Sequence, residues 1–125
     1  MAGTLLFLVF KKTKIHSLNL FIAAIVNIIL NSIQSIPQNK KGAISIELLH
    51  NANKFLIIIN DNGRGIPKNE MKNIFDPFYT TKQEGTGLGL SIAKNIISNH
   101  NGTLEVISKE NVGTKVILSL PFKKG

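Results

Sequence analysis

Three clusters in this chain combine residue types and spacings that suit a charged or planar ligand. The first is the pair Asn27 and Asn31, four residues apart in an apolar stretch that predicts a helix. Residues at this spacing lie on one helical face, so their amide groups need polar partners in an otherwise apolar environment. Those partners could be backbone groups of the protein itself, or a cation or phosphate. The pair alone leaves both alternatives open.

The second cluster runs from Asp61 to Gly65, with the sequence Asp-Asn-Gly-Arg-Gly, and follows a predicted strand. Alternate glycines permit a backbone turn with positive φ and allow a flat ligand to lie close to the chain. The end of the strand would fix the aspartate in place. Turns after strands commonly use Asp and Gly, so an ordinary turn explains this cluster equally well.

The third cluster, residues 85–91, reads Gly-Thr-Gly-Leu-Gly-Leu-Ser and opens a predicted helix. A glycine-rich turn at a helix start presents backbone N–H groups and the positive end of the helix dipole to an anion. The spacing differs from the dinucleotide-binding Gly-x-Gly-x-x-Gly pattern, and the chain has no Walker Gly-Lys-Ser/Thr. Both of those nucleotide-binding folds are therefore disfavoured.

Between the second and third clusters, residues 75–82 begin with aromatic side chains and end with hydroxyls and a cation, including Thr80 and Lys82. Residues 76–87 show no sustained periodicity. Irregular stretches of about a dozen residues inside compact domains are usually binding loops or lids. We predict that this segment is a mobile lid whose tip binds phosphate.

The elements that must position these clusters follow from periodicity and turn signals. We predict strands at residues 5–10, 43–49, 54–60, 103–108 and 114–120. Helices are predicted from about residue 17 to 36 and at 88–99, with a short one at 67–75 that has Pro67 in its first turn. This order favours an α+β fold, a two-layer sandwich with helices on one face of a mixed sheet.

Composition excludes several classes of function. The 125 residues suffice for one domain, and 43% apolar against 18% charged residues indicates a globular chain. The absence of cysteine removes disulfides, thiolate metal sites and cysteine nucleophiles. A net charge of +8 favours anionic partners without choosing among them. The few aromatic residues do not alternate with a basic cluster, so we expect no specific nucleic-acid binding.

Two apolar runs could be mistaken for membrane segments. Residues 5–10 are too few to span a bilayer, and a buried strand explains them better. Residues 18–36 have spanning length but carry four amide side chains, which need partners in hydrocarbon. We therefore predict no membrane insertion by this segment.

Taken in order along the chain, the motifs resemble one known family. Residues 27–35, 61–67, 75–82, 85–91 and 113–114 resemble the Asn box, first glycine box, Phe box, second glycine box and terminal Gly-Thr of histidine-kinase ATPase domains. The resemblance extends to the wider superfamily of DNA gyrase, mismatch-repair and heat-shock chaperone ATPases. It implies a Bergerat-type sandwich with ATP between the helices and under the lid.

The resemblance also assigns roles to individual residues. Asn31 would coordinate Mg²⁺ between the phosphates, and Asn27 would support phosphate or metal-bound water. Asp61 would accept the exocyclic amine of adenine, with the remaining base-side positions at Gly63, Gly65, Ile66 and Thr114. Phosphate contacts would come from the lid and the glycine-led helix, at Thr80, Lys82, Gly85, Gly87, Leu88, Gly89 and Leu90.

Asn27 separates kinase from hydrolase within this resemblance. The hydrolases of the superfamily carry a glutamate at this position as general base for water, and an amide cannot take that proton. The resemblance thus implies transfer of the γ-phosphate to a protein acceptor with little ATP hydrolysis.

The family's acceptor is a histidine on a dimerisation helix pair, which passes phosphate to a response regulator. None of the chain's three histidines has the expected Glu, Arg and Pro context. We therefore expect a histidine-kinase-like domain at residues 17–125, preceded by a short strand and lead-in at 1–16, that serves an acceptor elsewhere in a longer parent or in trans. A cytoplasmic location follows from this assignment. A stand-alone anti-sigma-type serine kinase and a non-catalytic ATP-responsive module remain alternatives.

Overall fold

The computed structural model describes residues 15–77 and 89–121. Side chains are described from residue 19 onward. The strand predicted at residues 5–10 and most of the predicted lid lie outside the described residues.

The first helix, α1, spans Ile15–Gln34. Its sequence places apolar residues three and four apart, so Ala24 and Ile28 are fully buried and Phe21, Ile25 and Ile29 pack beside them. The predicted bounds of 17 and 36 are each displaced by two residues. The helix ends earlier because the Ser35 hydroxyl donates to the Ser32 carbonyl at 2.7 Å and closes the last turn.

Four strands form one antiparallel sheet in the order β1-β2-β4-β3. They are β1 (Ile44–His50), β2 (Lys54–Asp61), β3 (Thr103–Lys109) and β4 (Gly113–Pro121). The predicted two-layer sandwich is confirmed. Every described pairing is antiparallel, whereas we predicted a mixed sheet; the strand predicted at 5–10 lies outside the described residues.

Two hairpins supply the four strands, and local turn chemistry closes each. In the first, the Asn51 side chain accepts hydrogen bonds from the backbone N–H groups of Asn53 and Lys54 at 2.7 and 2.9 Å. In the second, Asn111 adopts a positive φ of 64° between β3 and β4. The β2–β4 pairing joins the hairpins and brings Asp61 opposite Thr114.

The second helix, α2, spans Gly89–Asn99 and packs against α1 and β3. It ends in a Schellman motif: Asn101 has φ 61°, Asn101 N–H donates to Ser98 O at 3.0 Å, and Gly102 N–H donates to Ile97 O at 2.9 Å. The predicted end of this helix at residue 99 is confirmed. His100 Nδ1 lies 2.7 Å from Ile96 O, so the imidazole also engages a terminal carbonyl.

The core lies between the two helices and the sheet. Ile59 and Leu118 on the central strands are fully buried against Ile28 and Ile97 on the helices. The short helix predicted at 67–75 is a 3₁₀ helix at Lys68–Asn73, preceded by Pro67 in an extended conformation. Proline cannot donate a backbone hydrogen bond, which suits it to the position before the first turn.

Part of the apolar surface of the sheet is not covered by any of the described residues. Ile46 and Leu48 of β1 pair across the sheet with Ile59 and Ile57 and therefore share the helix-side face. They are nevertheless 56% and 61% exposed, because among the described elements α1 packs mainly against α2 and β2. Within residues 15–77 and 89–121, no helix combines the length and apolarity needed to cross a bilayer.

Candidate functional site

Asp61 is the last residue of β2 and is buried, with 7% of its surface exposed. Its Oδ1 accepts two hydrogen bonds, from Gly63 N–H at 2.8 Å and from the Ser35 hydroxyl at 3.2 Å. Among the described residues no hydrogen bond reaches Oδ2. A buried carboxylate with one oxygen held by the protein has its other oxygen available to an N–H donor from a ligand.

The turn after Asp61 is fixed by close backbone contacts that require glycine. A Cβ on Gly63 would clash with Ser35 Oγ, and one on Gly65 would clash with Lys109 O. Gly65 also has φ 69°, a conformation that favours glycine. The space that a side chain would take at both glycines is thus occupied by the chain itself. The approach of a base at these glycines stays a prediction.

Thr114 lies at the start of β4, on the strand next to Asp61. It lies opposite Asp61 in the β2–β4 register, and its Oγ1 is 2.7 Å from Ser108 Oγ. Ser108 Oγ in turn accepts Ile66 N–H at 2.9 Å and lies 3.0 Å from Gly113 O, to which it can donate. One hydroxyl therefore connects the aspartate turn, the end of β3 and the start of β4.

Asn31, in the first cluster, lies close to the start of α2, where the third cluster ends. A Cβ on Gly89, the first residue of α2, would lie 3.3 Å from Asn31 Nδ2, so the glycine-led helix begins against the amide. Asn31 is half-buried, and so is Asn27 one turn earlier on α1. Leu90 is half-buried and packs against the core. Gly85, Gly87 and Leu88 lie outside the described residues, as do Thr80 and Lys82.

Ser35 connects the first cluster to the second. Its backbone N–H donates to Asn31 O at 3.0 Å, and its carbonyl accepts Arg64 N–H at 2.9 Å. The end of α1 is therefore bonded directly to the aspartate turn. The described members of the three predicted clusters meet at one end of the sandwich, where the ends of α1 and β2 and the start of α2 come together.

Three positioning residues were missed at the level of sequence: Ser35, Ser108 and Asn62. The Asn62 side chain accepts Ala43 N–H at 2.8 Å and donates to Lys41 O at 3.1 Å, which ties the aspartate turn to the start of β1. Ser108 could have been found from hairpin register, since it pairs with Thr114. Ser35 is the last residue of the segment that resembles the Asn box, but the resemblance assigned it no role.

Phe75 marks the described beginning of the predicted lid. Its ring packs against the core, and Lys94 Nζ of α2 lies 4.1 Å from the ring centroid, within cation–π range. Ile74 beside it is buried. The described start of this segment is thus anchored to α2.

An open depression of about 450 Å³ lies at the same end of the sheet. It is lined by Asp61 and Thr114 together with residues of the sheet face away from the helices, such as Ser45, Asn60 and Lys115. Neither Asn31 nor Gly89 lines it. The depression therefore lies on the far side of the Asp61–Thr114 pair from the junction of the two helices.

The fold and the junction define an ATPase-type α/β sandwich, distinct from the Rossmann and P-loop classes. The chain belongs to the family of histidine kinase-, DNA gyrase B- and HSP90-like ATPases, whose model matches residues 18–124. The family predicted from the five motifs is thereby confirmed, and ATP binding follows from it.

Relatives and solved structures agree with this family. The chain is 41% identical over 97 residues to the sensor histidine kinase ZraS of Escherichia coli (strain K12), covering 78% of this chain and 20% of ZraS. It is 39% identical over 98 residues to sporulation kinase B of Bacillus subtilis (strain 168), covering 78% and 23%. The chain thus spans about a fifth of the length of these curated relatives.

Among solved structures, a mycobacterial sensor histidine kinase, MprB, superposes with a TM-score of 0.69 at 28% identity, covering 79% of this chain and 70% of that one. The catalytic domain of histidine kinase ThkA, in a nucleotide-free form, gives 0.67 at 35% identity, covering 78% and 63%. The predicted sandwich is therefore that of histidine-kinase catalytic domains.

Proposed function

We propose that this chain binds Mg²⁺-ATP and donates the γ-phosphate to a histidine on a dimerisation helix pair that is separate from it or missing from it. The observation that carries the proposal is the meeting of Asn31, Asp61 and Gly89 at one end of the sandwich. Ser35 links the first two, and the Asn31 amide lies where a side chain on Gly89 would begin.

The adenine base would bind on the Asp61 side. Oδ2 of Asp61 would accept the exocyclic amine, because Oδ1 is already committed to Gly63 and Ser35. Thr114 would contact the base from the neighbouring strand, with Gly63, Gly65 and Ile66 forming the turn below it. This geometry is supported by the register that sets Thr114 beside Asp61.

Mg²⁺ would bind at Asn31, with Asn27 supporting phosphate or metal-bound water. Within residues 15–77 and 89–121, no three His, Cys, Asp or Glu side chains gather into a metal site. An amide oxygen beside phosphate oxygens and waters fits Mg²⁺, a hard ion that uses few protein ligands in nucleotide sites. The ion would neutralise charge on the phosphates that it bridges.

The phosphates would lie toward the start of α2. Gly89 begins this helix, and the N–H groups of a first helical turn have no partner within the helix. The Leu90 backbone would contribute there, while the Leu90 side chain packs on the core. The predicted lid would complete the phosphate site through Thr80, Lys82, Gly85, Gly87 and Leu88.

Transfer to a histidine is supported by the relatives named sensor histidine kinases and by Asn27, whose amide cannot serve as general base for water. In this proposal the phosphate passes from the histidine to a response regulator. The domain lies in the cytoplasm, as part of a longer parent protein that can itself be anchored in a membrane. Specific nucleic-acid binding has no part in it.

Calorimetry with a non-hydrolysable ATP analogue and with ADP, with and without Mg²⁺, tests the proposal. Asp61→Ala should weaken binding of both nucleotides about 10- to 100-fold, since a hydrogen bond to a charged group contributes about 1.5–3 kcal/mol. Asn31→Ala should mainly abolish the effect of Mg²⁺. The exposed Asn95→Ala on α2 is the matched control and should bind as wild type. Unchanged affinity in both site variants would contradict the assignment.

A further inference from the structure

Ser35 contacts both halves of the candidate site without belonging to any predicted ligand contact. It follows the last residue of α1, and its hydroxyl lies 2.7 Å from Ser32 O and 3.2 Å from Asp61 Oδ1. Its carbonyl accepts Arg64 N–H at 2.9 Å. The missing side chain of Gly63 leaves the space in which Ser35 Oγ sits.

The hydroxyl has one proton and two acceptors within reach. The Ser32 carbonyl is the nearer, and the Asp61 carboxylate carries the charge, so the proton is shared between them in a three-centre bond. Gly63 N–H donates to the same Oδ1 at 2.8 Å. Two donors on one oxygen resist rotation of the carboxylate and so fix the direction of Oδ2.

We infer that Ser35 is a positioning residue that holds the Asp61 carboxylate and thereby sets the preference for adenine over bases that lack an exocyclic amine. The inference rests on the proposed function, in which Oδ2 accepts that amine. A carboxylate held in one orientation presents a lone pair along one direction. A purine with a carbonyl in place of this amine is repelled, because the lone pair of its carbonyl oxygen faces the lone pair of Oδ2.

A purely structural role for Ser35 has a different consequence. If the hydroxyl only closed the last turn of α1 through Ser32 O, its loss would shift the helix end and weaken all nucleotides alike. If it positions Asp61, its loss frees the carboxylate to turn, and the discrimination between bases declines. The ratio of the affinities for an adenine nucleotide and for a nucleotide without the exocyclic amine therefore distinguishes the two roles, whereas the affinity for one nucleotide does not.

The experiment measures dissociation constants of ATP and inosine triphosphate, with Mg²⁺, for the full chain and four variants. Ser35→Ala should weaken ATP about three- to tenfold, as expected for one hydrogen bond, and change inosine triphosphate less than about twofold. The preference for ATP then falls by the same three- to tenfold. Ser98→Ala, an exposed serine on α2, is the matched control and should keep the wild-type preference.

Asp61→Ala distinguishes failure of this inference from failure of the proposed function. If Asp61→Ala leaves ATP affinity and base preference at wild-type values, the site assignment itself fails. If Asp61→Ala removes the preference while Ser35→Ala leaves it unchanged, only the positioning role is overturned. In the double variant, Ser35→Ala should have no further effect on the preference, because the group that it positions is gone.

Discussion

Ser35 and Ser108 reach the turn at residues 61–66 from opposite sides, one from the end of a helix and one from a strand. Ser108 accepts Ile66 N–H and has a single proton for either Gly113 O or Thr114 Oγ1. If the proton goes to Gly113 O, Thr114 must donate to Ser108 and can only accept from a ligand. This hydroxyl thus sets the hydrogen-bonding role of Thr114 at the residue scale.

Removing that hydroxyl should destabilise the protein. In Ser108→Ala, the half-buried Ile66 N–H loses its acceptor, and an unsatisfied buried donor costs about 1–3 kcal/mol. We expect a loss of that size in the free energy of unfolding, measured with urea. Ser45→Ala, at an exposed strand position, should cost much less. Equal losses in the two variants would show that the Ser108 contacts carry no net stability.

Asp61 and the two asparagines could be identified from sequence because their types are rare in apolar surroundings and their spacing matches a helix face or a strand end. The two serines could not. A serine hydroxyl forms short-range bonds and leaves no periodic signal, so its partners depend on which segments the fold brings together. Ser35 meets Asp61 only because α1 ends beside β2.

At the scale of elements, apolar spacing predicted the type of every described helix and strand, with bounds within a few residues. Apolar spacing was less able to predict which face of a helix or strand packs against a neighbouring element. The apolar positions of α2 include Ile92, Ile96 and Ile97, yet Ile92 is 40% exposed while Ile97 is fully buried. Coverage depends on the neighbouring element, here α1 packing along one side of α2.

This difference predicts unequal effects of the same substitution on one helix. Ile97→Ala removes a side chain packed in the core and should cost about 2–5 kcal/mol of unfolding free energy. Ile92→Ala should cost less than about 1 kcal/mol, because surface substitutions have small effects. Chemical denaturation of both variants provides the comparison. Similar costs would mean that α2 packs differently from the described arrangement.

At the scale of the whole molecule, the chain has a net charge of +8, and it matches about a fifth of the length of ZraS. The positive charge favours an anionic ligand such as a nucleotide without specifying one. The fold class and the family could be predicted from motif order along the chain. The acceptor could not, because the five motifs resemble segments of a nucleotide site and carry no information on the surface that presents the acceptor.

Phosphate transfer in trans tests that proposal. The full chain, mixed with Mg²⁺-ATP labelled at the γ-phosphate and with its proposed histidine-bearing dimerisation helix pair supplied in trans, should label the pair. The label should be lost in acid, as expected of a phosphohistidine and not of a phosphoserine. A pair in which the acceptor histidine is replaced by alanine is the control. An unlabelled helix pair, or an acid-stable label, would contradict histidine kinase activity.

The pairing of β2 with β4 has a further consequence, for the order in which the protein assembles. Each hairpin closes over a short turn, whereas β2 and β4 are far apart in the chain and must first meet the entropic cost of closing the long loop between them. Asp61 and Thr114 face each other across this slowest pairing. In our proposal this pair binds the base, so a nucleotide that binds there would stabilise only molecules in which β2 and β4 have already paired.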